Sequence, residues 1–258
     1  MQNQLTLSLI QTDIIWKNIP KNLQRIEEKI HSISTKTDLI VLPEMFSTGF
    51  VMEPESVAEG MQGSAVQWMQ QIAKDKQTAL IGSLIIQENQ QYFNRVVFVH
   101  PSGAMTHYDK KHLFTLAGED KIYTAGNNRL LFEYKGWKIS PFVCYDLRFP
   151  VWTRNTENYD LAIFVANWPK VRVTAWDTLL KARAIENMSY VVGVNRIGTD
   201  ANDLEYPGHS QAIDPLGAII QKAEKQEETI VTITLEKDNL QKTREQFQFL
   251  NDRDQFTL

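Results

Sequence analysis

Short runs rich in β-branched and aromatic residues recur along the whole chain, at 5–11, 39–42, 79–86, 92–100, 130–134, 138–144, 161–166, 190–195, 210–214 and 229–234. Each has strand length, and turn-forming residues separate several of them. Segments with helical periodicity lie between others. Residues 18–33 place Ile19, Leu23, Ile26 and Ile30 on one face, and residues 64–76 place Ala65, Trp68, Met69 and Ile72 together. Residues 174–187 are expected to turn Trp176, Leu179, Leu180, Ala182 and Ile185 inward. Some strands alternate with helices, whereas QENQQ (87–91) and PSGA (101–104) read as turns between paired strands. A chain using both kinds of connection is expected to form an α/β layered fold around a large mixed sheet.

No repeat, low-complexity tract or Pro/Gly-rich linker interrupts the 258 residues, so one domain over 1–258 is expected. The tail from 236 to 258 is polar, with Phe247, Phe249, Leu250 and Phe256 lacking an obvious core partner. It is expected to be an arm that either packs on its own domain or reaches across a subunit interface. The N-terminus has no basic region and only a short, polar-interrupted apolar stretch, and the longest apolar runs fall far below a membrane span. A cytoplasmic protein is expected. With 27 Lys+Arg against 31 Asp+Glu, nothing points to nucleic acid or an anionic membrane. The single cysteine, Cys144, excludes an intramolecular disulfide framework and any multi-thiolate metal site. It is a buried small hydrophobe, a redox-sensitive thiol or a nucleophile.

Three strands end in reactive residues. The apolar run LIVL (39–42) stops at Pro43 and is followed by Glu44, at the strand edge where open α/β sheets place ligands. A carboxylate beside so much apolar surface is suited to general-base work, or is a solvated turn cap. In YDKKHLF (108–114) only one of Lys110 and Lys111 faces inward if the segment is extended. An inward ammonium can stabilise an oxyanion, an outward pair is a basic patch, and His112 is a candidate base partner for a thiol. Cys144 ends a third apolar run and precedes a polar turn, so the backbone N–H of Tyr145 would point where an oxyanion forms. Asp146 and Arg148 are close enough in sequence to pair locally.

Together these segments resemble the nitrilase superfamily of carbon–nitrogen hydrolases. The matching pieces are LPEMFSTGF (42–50), YDKKHLF (108–114), GED (118–120), CYDLRFP (144–150), ANWP (166–169), WDTLLKARAIEN (176–187) and GVNRIGTD (193–200), in the family's order. MFSTGF after Glu44 and ANWP after the Cys strand look like the ω-amidase-like branch, whose members hydrolyse 2-oxo acid ω-amides such as 2-oxoglutaramate. The resemblance implies a four-layer αββα sandwich that dimerises. It implies a Glu44–Lys110–Cys144 triad, with Lys111 as the variable residue of the Lys-x-His pattern. Glu119 is implied as an assisting second carboxylate and the Tyr145 N–H as an oxyanion donor. No metal or organic cofactor is implied.

A substrate with a far carboxylate needs a local cation, and Arg148 and Arg172 are the candidates. For Arg148 the alternative is an ion pair with Asp146 or Glu186. Phe46, Trp168 and Tyr145 are candidate pocket walls, and Arg183 and Glu186 are expected to pair along their helix. The loops at 46–62, 114–127 and 200–208 are expected to set pocket depth. Competing readings are an N-carbamoyl amide hydrolase or nitrilase with the same triad, a Cys–His protease using His112 or His209, and a non-catalytic binding protein of the same fold.

Overall fold

Alternation along the strands decides the layering. Leu5, Leu7 and Leu9 point to one side of their strand and Ile10 to the other. Leu39 and Val41 likewise oppose Ile40, and Ala79 and Ile81 oppose Leu80. Strands buried on both faces in this way need a covering layer on each side. The structure, a computed structural model describing residues 2–223 and 226–257, supplies them. Leu258, the end of the expected arm, lies outside the described residues, as do Met1, Glu224 and Lys225 of the expected domain.

The first half of the chain forms β1 (Gln4–Gln11), α1 (Ile19–Ser32), β2 (Leu39–Val41), α2 (Ser64–Lys76), β3 (Ala79–Glu88), β4 (Gln91–Val99) and β5 (Met105–Asp109). The second forms β6 (Phe132–Tyr134), β7 (Trp137–Val143), α3 (Pro150–Thr153), β8 (Leu161–Ala166), α4 (Val173–Asn187), β9 (Tyr190–Asn195), β10 (Ile197–Thr199), β11 (Glu205–Pro207), β12 (Gln211–Ile213), β13 (Ile219–Lys222), β14 (Thr229–Glu236) and α5 (Lys237–Phe247).

Two six-stranded mixed sheets result, not one large sheet, with orders β14-β1-β2-β3-β4-β5 and β13-β12-β9-β8-β7-β6. Each has three parallel strands (β1–β3, β7–β9) flanked by antiparallel ones. Their facing sides share one core, in which Leu5, Leu7 and Val41 join Ile139, Ile163 and Val192. Outside the first sheet, α1 and α2 bury Leu23, Ile26, Ala65 and Met69. Outside the second, α4 lays Trp176 and Leu180 over β9, and Gly193 permits the approach, since a Cβ there would stand 2.5 Å from Leu180. The layers are therefore αββα.

One local expectation changes. Ile185 is 51 % exposed, whereas Arg183 is buried and donates through Nε and Nη2 to the Leu147 carbonyl. The helix turns its apolar stripe away from Ile185 to carry this guanidinium inward; Arg183 also pairs with Glu186 as expected. In the tail, α5 packs on its own chain. Leu240 is fully buried, and Arg244 reaches the carbonyls of Met188 and Tyr159 and the Asp160 carboxylate.

Glu228, just before β14, ties three elements together. It accepts from Thr12 and the Asp13 amide at the end of β1, and from Arg25 and Lys29 on α1. Burial pushes its carboxyl up, but bonds from Lys29, Thr12 and the Asp13 amide outweigh this and hold it down at about 2. A carboxyl depressed by folding contributes stability that is present above its unfolded value of 4.5 and lost as pH falls toward about 2. Glu228→Gln is therefore expected to cost up to about 1 kcal/mol at neutral pH. Melting curves of variant and parent should converge through that acidic window; a deficit independent of pH would contradict the assignment.

Candidate active site

The sheets bring their strand ends together around one carboxylate. β2 ends at Val41, and Leu42 and Pro43 lead to Glu44, which is fully buried. The chain reverses at Met45, which has φ +43° and whose amide is held by Ser83 Oγ at 2.9 Å. Lys110 directly follows β5. Its amide donates to the Asn94 carbonyl of β4, extending the ladder by one residue and directing the buried side chain inward. Glu119 arrives on a 3-10 turn, fixed by the Phe114 amide donating to its Oε2 at 2.6 Å.

Lys110 Nζ lies 3.1 Å from Glu44 Oε1 and 2.9 Å from Glu119 Oε2. Asn94 Nδ2 donates to the same Glu44 oxygen at 2.7 Å and approaches Glu119 Oε1 at 3.4 Å. The Asn167 amide donates to the other Glu44 oxygen at 2.7 Å, and Asn167 Nδ2 holds the Glu44 carbonyl. One ammonium thus bridges two carboxylates out of contact with solvent. Burial by itself lowers the Lys110 pKa, but Glu119, Glu44 and the nearby sulfur outweigh it and raise the value. Glu119 is raised by burial, with Lys110 pulling down and Glu44 pushing up.

Cys144 sits where β7 ends, with φ +42°, a left-handed conformation that costs a non-glycine residue roughly 1–3 kcal/mol. Asp146 holds this elbow in place. Its buried carboxylate accepts from the Val143 amide, Tyr108 Oη and both the amide and Nδ1 of His112. The 3-10 turn that begins at Cys144 leaves its first N–H groups, Tyr145's among them, without a partner inside the turn. The thiol faces the Asn167 carbonyl at 3.9 Å. Burial first, then the Glu44 charge, push its pKa well up, with Lys110 opposing. The resting sulfur is therefore a thiol that needs a base.

A cavity of about 320 Å³ opens over Cys144, Glu44 and Lys110. Its walls come from all three loops expected to set its depth: Phe50 and Met52, Phe114 and Ala117, and Asp200, Asn202, Leu204 and Tyr206. Tyr145, Arg148, Trp168 and Arg172 line it. Phe46 does not. It is fully buried on the helix side of the first sheet, 6.0 Å from the Trp68 ring, because the reversal at Met45 turns it back into the core. Lys111 points away, toward Asn127 and the Trp152 ring. Arg148 pairs with neither Asp146 nor Glu186; its guanidinium stacks 5.0 Å from the Trp168 ring, and Arg172 stacks 5.0 Å from Phe114. Among the described residues neither guanidinium has a carboxylate partner.

His112 is committed to Asp146 and stacks on Phe149, and His209 pairs with Asp177; neither lines the cavity. Sequence reasoning missed Asn94 and Asn167. The signal for Asn94 is the pair Asn94–Arg95, polar and fully buried inside an otherwise apolar strand.

The carbon–nitrogen hydrolase family model matches residues 6–245. The chain is 43% identical over 254 residues to omega-amidase YafV of Escherichia coli (strain K12), covering 98% of both chains. It is 32% identical over 252 residues to 2-oxoglutaramate amidase of Bacillus subtilis (strain 168), covering 96% of both. The crystal structure of XC1258 from Xanthomonas campestris, a CN-hydrolase superfamily protein with an arsenic adduct in its active site, superposes with a TM-score of 0.97 at 40% identity over the full length of both chains.

Proposed function

Because the chain belongs to the carbon–nitrogen hydrolase family, we propose that it is an ω-amidase that releases ammonia from 2-oxo acid ω-amides such as 2-oxoglutaramate, through a thioester on Cys144. The observation that carries this reading is the Glu44–Lys110–Glu119 cluster set against a strained cysteine elbow. Two relatives, named for ω-amidase and 2-oxoglutaramate hydrolysis and matched over nearly their whole length, support the substrate class.

The chemistry follows from the raised thiol. Glu44 takes the thiol proton as sulfur attacks the amide carbon, forming the S–C bond. The oxyanion develops between Lys110 and the Tyr145 N–H, donors already in place before the charge appears. Glu44 returns its proton to the leaving nitrogen, the C–N bond breaks and ammonia departs. Water then gives a proton to Glu44 and its oxygen to the thioester carbon; the C–S bond breaks and the proton returns to sulfur. Glu119 keeps Lys110 aimed at the oxyanion and assists in placing the water.

Arg148 and Arg172 bind the substrate's far carboxylate. Each is pre-positioned on an aromatic face and lines the cavity with no carboxylate partner among the described residues, which suits capture of a ligand carboxylate. Trp168 and Tyr145 wall the site beside them. Arg148→Met or Arg172→Met is expected to raise KM for 2-oxoglutaramate by about 10–100-fold, the worth of a hydrogen bond to a charged group. Hydrolysis of an uncharged amide such as propionamide should be nearly unchanged. Equal losses on both substrates would remove these arginines from carboxylate recognition.

A panel of 2-oxoglutaramate, an N-carbamoyl amino acid and a simple nitrile, read by ammonia release, tests the whole reading. The ω-amide should be preferred; preference for either of the others would reassign the substrate. The same reading makes the enzyme a cytoplasmic homodimer. The exposed Phe247, Phe249 and Phe256 of the tail fit cover by a second copy, and among the described residues no helix is long and apolar enough to cross a membrane.

A further inference from the structure

Asn94 is fully buried, and its side chain is committed to anions. Nδ2 points at Glu44 Oε1 (2.7 Å) and Glu119 Oε1 (3.4 Å), while Oδ1 finds no hydrogen-bond partner among the described residues. The opposite amide orientation would set an oxygen against two carboxylate oxygens, so the carboxylates fix which end faces them. A buried acceptor left unsatisfied is uncommon and calls for a reason. The reason here is the donor at its other end.

A carboxylate offers about two lone-pair sites on each oxygen. At Glu44, Oε1 receives Asn94 Nδ2 and Lys110 Nζ, whereas Oε2 receives the Asn167 amide, and the Cys144 thiol also hydrogen-bonds this carboxylate. We propose that Asn94 is a positioning residue for the hydrolysis: by filling Oε1 together with Lys110, it leaves Oε2 as the oxygen that exchanges protons with the Cys144 thiol and the leaving nitrogen. Asn94 acts at two levels, since its carbonyl also accepts the Lys110 amide and so sets the height of the ammonium above the carboxylates. Its amide further provides a neutral donor where one ammonium must serve two anions. This inference rests on Glu44 being the base.

The titratable groups facing Glu44 are Lys110 from the end of β5, Glu119 from its 3-10 turn and Cys144 from the elbow, with the phenols of Tyr123 and Tyr206 farther out. Removing a donor from an ionised carboxylate favours its protonated form. In Asn94→Leu, an apolar replacement of similar size, kcat on 2-oxoglutaramate is expected to fall about 10–100-fold with little change in KM, the scale of a misplaced catalytic group. The acidic limb of the kcat/KM–pH profile should move to higher pH. Asn94→Ser, which keeps a hydroxyl donor, should recover part of kcat and move the limb back, and it also serves if the leucine variant does not fold. A folded Asn94→Leu with parental kcat, or with reduced kcat but an unmoved acidic limb that Asn94→Ser does not alter, would overturn the proposal. Glu44→Gln separates failure of the mechanism from failure of this inference: if it stays active, Glu44 is not the base and the mechanism itself falls; if it is inactive, the Asn94 variants decide the positioning role alone.

Discussion

Cys144→Ala should fold like the parent and lose turnover of 2-oxoglutaramate by at least about 10⁴-fold. The loss is large because no other nucleophile is available: Cys144 is the only cysteine, and the two histidines nearest the candidate loops are held by Asp146 and Asp177. The fold should survive because the sulfur's polar contacts, to the Asn167 carbonyl at 3.9 Å and to the Glu44 carboxylate, are weak thiol bonds, and the elbow is held by Asp146 rather than by the thiol. Alanine also meets the same left-handed backbone, so the substitution adds no new strain. A thermal unfolding curve within about 1 kcal/mol of the parent's, beside absent ammonia release, is the expected pair of results. Residual activity near parental level would remove the nucleophile from the account.

Lys110→Met should be damaged in both stability and rate. The ammonium compensates two buried carboxylates at 3.1 and 2.9 Å, and an apolar residue leaves them facing each other without a cation. Breaking a buried pair from one side costs about 3–5 kcal/mol, because the uncompensated charge stays behind. The pH dependence identifies the cause. Without Lys110 the Glu119 carboxyl, which burial already raises and Lys110 pulls down, should titrate higher still in the folded state. The folded variant then binds protons as pH falls, and its deficit should shrink toward acid. Turnover should be lost at every pH, since the oxyanion has lost its cation. A deficit that grows toward acid would mean that the two carboxylates do not share this ammonium.

The strand framework was legible because its core strands are apolar runs bounded by turn residues, and β1, β3, β8 and β9 lie close to where periodicity put them. Other elements carry little periodic signal. The β10–β11 hairpin has three-residue strands around a loop held by Asp200, which accepts from the Asn202 and Leu204 amides and Tyr206 Oη. In α5 only Leu240 and Thr243 are buried, a stripe too narrow to stand out from a polar tail. The partition into two sheets was not written in any segment, because it depends on which strands pair.

The site divides in the same way. Cys144 and Lys110 each follow a strand directly, Glu44 follows one after two residues, and their motifs carry the resemblance. The ion pair itself joins residues 66 positions apart, which no local pattern reveals. Phe46 was misplaced because a loop aromatic beside a reactive Glu looks like a pocket wall until the Met45 reversal is known. Asn94 and Asn167 were missed because an asparagine declares no chemistry until the groups it faces are seen. Lys111, one position from Lys110, shows how a single-residue step along an extended segment separates a buried ammonium from one that reaches Asn127.

The proposed reaction passes through a covalent acyl-enzyme on Cys144. Rapid acid quench after mixing the enzyme with 2-oxoglutaramate, followed by intact-protein and peptide mass spectrometry, reads it directly. A transient adduct equal to the substrate less ammonia is expected, located on the Cys144 peptide and absent from Cys144→Ala. Ammonia release at the parental rate with no adduct on that peptide, under conditions that trap an authentic thioester, would contradict it.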